Sequence, residues 1–213
     1  MTDFITGVFP FAAIVLCLIG TGWRFVRWMS LPPHVKWTLY PKPEGLVGQL
    51  GYMFREMFTF ETLYKFNRPL WAGSFVMHMA MLGFAVSFIL ATVQAVSIFP
   101  ARLFLYVIFV SALFIMGLRL TDRDMKALTS FEELFNLGFL AAAAISLWAA
   151  LDVGFIQYIT ELAKFSKPSG PLACRQVLAV LLGGLFLIYL PWSKMVHYIS
   201  KYFTYHEINW REQ

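Results

Sequence analysis

Charge is scarce in this chain: Asp, Glu, Lys and Arg make up 14% of its 213 residues, where a soluble domain carries about 25%. None of the four occurs between Asp3 and Arg24, Arg68 and Arg102, Arg102 and Arg119, Glu133 and Asp152, or Arg175 and Lys194. A helix needs about 17–25 mostly apolar residues to cross about 30 Å of hydrocarbon, and these gaps supply them. Cysteine is nearly absent, with only Cys17 and Cys174. Neither stands in a CxxC or CxxCH setting, which argues against covalent haem attachment and cysteine-ligated clusters. Their expected depths differ too much for a disulfide. The chain has no P-loop, no GxGxxG and no nucleophile–base pair. Nor does it show the ten-residue alternation of an outer-membrane barrel, or any low-complexity tract beyond the alanines at 141–144, which suit close helix packing.

What is present is apolar: 59% of the residues are hydrophobic and 18% aromatic. The expected fold is an all-α, five-transmembrane-helix bundle forming one domain over 1–213, with spans near 4–27, 70–96, 101–119, 132–158 and 175–199 and a loop at 28–69. The first span is too long, and too poor in basic residues, for a cleavable leader. Lysine and arginine set the orientation. Of the 17, thirteen fall in 24–68, 119–126 and the segment from Lys194, and four fall at Arg102 and in 161–175. The N-terminus is therefore expected outside and the C-terminus in the cytoplasm of a prokaryotic inner membrane. The net charge of +5 reports this asymmetry and gives no reason to expect nucleic acid.

Four histidines occur, His34, His78, His197 and His206. His78 lies inside span two, roughly 15 Å from its start at 1.5 Å per residue, and His197 comes near the end of span five, which runs the other way. Two antiparallel helices thus offer imidazoles in the same half of the bilayer. A buried imidazole needs partners for both ring nitrogens, and a metal with a second-shell acceptor supplies them. Two imidazoles on a haem iron close it to small ligands and suit electron transfer. The bland alternative is two unrelated histidines, each hydrogen-bonded to a neighbouring helix. Gly83 and the pair Gly183–Gly184 would leave room for a porphyrin face, or serve ordinary close packing. Lys194 is a candidate propionate contact, or a snorkelling interfacial lysine. His34 and His206 read as surface residues.

The run "PWSKMVH" at 191–197 resembles the Pro-aromatic-Ser-basic-x-x-His ending of the last helix in the NarI-like family, the membrane cytochrome b of respiratory nitrate reductase. The run "HMAMLGFAV" in span two and the five-span layout are similar as well. The resemblance implies a quinol-linked cytochrome b in which His78 and His197 are axial ligands of the haem nearer the cytoplasm. It implies a second haem too, with ligands ten residues after His78 and eighteen before His197. Phe88 and Ala179 stand there and cannot ligate iron. One haem b is expected, and a second would need non-standard ligands. With "FETLYKFNRPLW" entering span two, the chain is most similar to the cytochrome b subunits of Hmc, Tmc, Dsr and heterodisulfide-reductase complexes. That implies a cytoplasmic iron–sulfur partner, other membrane subunits, an outer-side multihaem cytochrome c, and menaquinone as a candidate ligand. Such a subunit has no complete active site of its own.

In "EGLVGQLGYMFREMF", Leu46, Leu50, Met53, Phe54 and Met57 line one side of a helix, with Gln49 and Glu56 elsewhere. This helix suits the membrane interface, a docking partner, or rest on its own bundle. Ser130–Glu133 reads as a capping box. Asp152 is placed either facing interfacial water or accepting a proton from quinol. A haem-free anchor or quinone-binding subunit is the alternative function. A transporter would need ionisable residues along a path, and only Asp152 qualifies.

Overall fold

With water excluded from the bilayer core, each backbone N–H and C=O must be satisfied within its own segment, and among the described residues all regular structure is helical. The computed structural model describes residues 4–30, 43–94, 96–166, 170–197, 200 and 203. A π-helical turn Phe4–Val8 leads into α1 (Phe9–Met29). Then follow α2 (Gly45–Thr59), α3 (Glu61–Phe66), α4 (Arg68–Thr92), α5 (Phe99–Thr121), α6 (Arg123–Leu128), α7 (Phe131–Ala150), α8 (Val153–Ala163) and α9 (Cys174–Tyr189), with 3₁₀ turns at Leu190–Trp192 and Lys194–Val196.

Five segments are long and apolar enough to cross a membrane: Phe4–Met29, Arg68–Thr92, Phe99–Thr121, Phe131–Ala150 and Cys174–Trp192. This is a multi-pass membrane protein. Its surface agrees, because large apolar side chains such as Leu18, Ile19, Val86 and Ile89 are exposed along the spans, as lipid permits. The interior mixes large side chains such as Leu105, Ile108, Phe155 and Ile156 with small ones. Ala101, Ala112, Ala141, Ala144 and Ala179 are buried, and they let backbones approach where dispersion replaces the hydrophobic effect. Close packing runs α4 on α5, α5 on α7, α7 on α9 and α9 on α1. An aromatic ladder of Phe135, Phe139, Phe186 and Tyr189 fills the α7–α9 seam.

The second span ends at Thr92 rather than 96, and two other helix ends differ more. The fourth stops at Ala150, not near 158, because Asp152 takes an extended backbone and its carboxylate accepts the Phe155 N–H at 2.8 Å, starting α8 afresh. The fifth stops at Tyr189. Pro191 falls in a 3₁₀ turn, extended Ser193 breaks the helix, and its Oγ accepts the Met195 N–H at 3.1 Å. His197 follows these turns rather than riding on a spanning helix. The glycines are also corrected. A Cβ on Gly83 would meet the Phe104 ring at 2.5 Å, and one on Gly184 would meet Phe9, while Gly183 has open space. Gly83 and Gly184 serve helix packing, so neither opens a porphyrin face.

A candidate metal centre between two histidines

Both histidines stand at the bundle end that carries α2 and α3. His78, half-buried, lies ten residues into α4. Its Nδ1 is 2.7 Å from the Ser74 carbonyl oxygen one turn back. A carbonyl only accepts, so Nδ1 carries the proton and Nε2 the lone pair that a metal would take. His197 is exposed beyond the second 3₁₀ turn, and its ring centroid lies 5.8 Å from that of His78 at an interplanar angle of 71°. One ion bound by both imidazoles at about 2 Å would be held by His78 and His197 at about this ring separation.

The turn that delivers His197 is gripped from two sides. From α1, Gly20 makes room for buried Pro191, against which a Cβ would close to 2.9 Å, and one turn on the Arg24 guanidinium donates to the Trp192 carbonyl at 2.9 Å. From α7, Glu132 accepts the Lys194 backbone N–H at 3.0 Å, and buried Asn136 accepts the Tyr189 hydroxyl at 2.6 Å. The Lys194 ammonium stands 3.8 Å from Glu132 and 3.9 Å from Glu133, and 3.4 Å from Ser130 Oγ. Its partners in the structure are thus at the start of α7. Glu133 also accepts the Ser130 N–H at 2.9 Å, the reciprocal half of the expected capping box, and pairs with Arg119 at 3.1 Å.

Phe60 completes the surroundings. It links α2 to α3 with φ +50°, left-handed backbone that costs a non-glycine residue about 1–2 kcal/mol. Its ring centroid lies 5.0 Å from that of His78. Nothing in the sequence marked Phe60, Ser74 or Glu132 for this place.

Among the described residues no three of His, Cys, Asp and Glu gather as a metal cluster. Two imidazoles alone suit an ion whose remaining positions are filled by its own ligand, as in a porphyrin. Moreover α4 packs closely on α5 and α8, and α9 on α7 and α1, rather than α4 on α9. The donor set, two imidazoles and nothing more among the described residues, fits such a group. Phe88 packs against Phe84 at 5.3 Å between ring centroids, and Ala179 is buried in the core, so the positions of a second ligand pair are filled by packing residues. His34 and His206 lie outside the described residues.

Asp152 is held by structural partners. Burial pushes its carboxyl up, but the Arg175 guanidinium at 2.8 Å, the Phe155 N–H and Gln176 at 2.9 Å outweigh this and hold it below the usual aspartate range. It ties the start of α8 to the start of α9. Comparison with known proteins adds no identity: no family model matches the chain, and no curated protein matches it.

Proposed function

We propose that this chain is the haem b-containing membrane subunit of a multisubunit respiratory redox complex of the NarI-like type. The pairing of His78 and His197, with His78 Nδ1 committed to the Ser74 carbonyl, carries the reading. When bound, a bis-imidazole haem supplies one-electron transfer without open coordination for small ligands. The chain's own part is to hold two neutral imidazoles in register. Ser74 fixes one tautomer, and α1 and α7 clamp the turn that brings the other. Lys194 would reach a propionate by turning from Glu132 and Glu133.

On the positive-inside rule the histidine end faces the cytoplasm of a prokaryotic inner membrane. There an iron–sulfur subunit would exchange electrons with it, the other end serving the quinone pool or outer-side subunits. A pyridine haemochrome assay on the purified chain tests this. One haem b per chain is expected, lost in His78→Ala and in His197→Ala. Two haems would return attention to the far end, and no haem in an intact complex would leave a haem-free anchor.

A further inference from the structure

α2 turns its apolar side away from its own bundle. Its buried residues are Met53 and Glu56, and both oxygens of Glu56 accept the Thr62 N–H at 3.3 Å. Leu46, Val47, Leu50, Phe54, Met57 and Phe58 are all exposed, Val47 at 85% and Phe54 at 63%. At 3.6 residues per turn these six share an arc of about 120° that excludes Gln49, Arg55 and Glu56.

The depth of its C-terminal end points to what covers the stripe. Trp71 Nε1 donates to the Thr59 carbonyl at 2.8 Å, and the Phe60 ring lies 6.4 Å from Phe75 and 5.0 Å from His78. Those three residues follow Arg68, the first residue of the span, by about 5 to 15 Å along α4. The C-terminal end of α2 is therefore anchored beside the spanning part of α4, beyond its last charged residue. Phe54 and Phe58, stacked at 4.2 Å, lie within two turns of that anchor. A water-soluble partner does not reach this level, whereas acyl chains surround it. We infer that α2 is an amphipathic helix embedded in the membrane, its apolar stripe covered by the acyl chains of the adjacent leaflet. With a single basic residue, Arg55, it holds by apolar burial and not by attraction to anionic headgroups. This holds whatever the two histidines bind, and it leaves only the Gln49–Arg55 side to a soluble subunit.

Nitroxide labels test it. The full chain, with Cys17→Ala and Cys174→Ser, carries one label through Leu50→Cys or Phe54→Cys, or through Arg55→Cys on the opposite side, in phosphatidylcholine vesicles. At 50 and 54, oxygen, which concentrates in hydrocarbon, is expected to collide several-fold more often than a water-soluble nickel chelate, with the ratio inverted at 55. Equal ratios at all three positions would overturn the inference and give the stripe to water and a soluble partner. Labels at 50 and 54 reached by neither reagent would overturn it too, with protein, such as a second copy, as the cover. Val47→Cys repeats the reading if a variant does not fold.

Discussion

Phe60 spends backbone strain where the chain enters the membrane, and two substitutions separate that strain from the ring. Phe60→Ala keeps φ near +50° and loses the ring. Phe60→Gly loses the ring and relieves the backbone. The glycine variant is expected to be the more stable of the two by about 1 kcal/mol, read by thermal unfolding in detergent. Equal stabilities would mean the junction relaxes to another conformation. Asp152 gives a pH-dependent counterpart. Asp152→Asn keeps a good N-cap but loses the pairing with Arg175, whose side chain is 57% exposed, so the loss is at most about 1 kcal/mol after solvent screening. Because the folded pKa is depressed, the native advantage is full above the unfolded value of about 3.9 and disappears as pH falls through the folded one. Melting curves of both chains from neutral to acid pH should converge, and a constant gap would show that Asp152 acts through shape alone.

At the scale of elements, two glycines make a matched pair. Gly83 faces the Phe104 ring across the α4–α5 seam, whereas Gly117 in α5 has nothing within 4 Å of an added Cβ. Gly83→Ala is expected to destabilise by about 1–3 kcal/mol through overpacking. Gly117→Ala should be neutral or stabilising by up to about 1 kcal/mol from helix propensity. Loss of stability in both variants would point to a partner on the Gly117 side. The helices themselves were legible because a span leaves a plain signal, a gap in charge, and all five spans coincide with such gaps. Their ends were not. Asp152 reads as a charge at a membrane boundary until its carboxylate is seen capping α8, and "PWS" signals a stop without saying where the following turn goes. The two histidines could be picked out by type and depth. Their pairing was expected too, but not the turn that delivers His197, since it depends on Gly20, Arg24 and Glu132, which lie far from it in the chain.

For the whole molecule the open quantity is direction, and the native cysteines can read it. Cys174 is exposed at the first residue of α9, at the end opposite the histidines, and Cys17 is mid-span in α1. In the orientation proposed from the thirteen-to-four distribution of lysine and arginine, the histidine end is cytoplasmic and Cys174 is outside. In intact right-side-out vesicles a membrane-impermeant maleimide is expected to label the chain before permeabilisation, and Cys174→Ser should abolish the label. Cys17 stays unlabelled before permeabilisation, because a membrane-impermeant reagent does not enter the hydrocarbon around the middle of α1. Labelling only after permeabilisation would invert the protein. The His78–His197 pair would then face outward, where no cytoplasmic iron–sulfur subunit could exchange electrons with it. The haem reading would survive that result, since it rests on the two rings, but the proposed partner would have to be sought on the outer side.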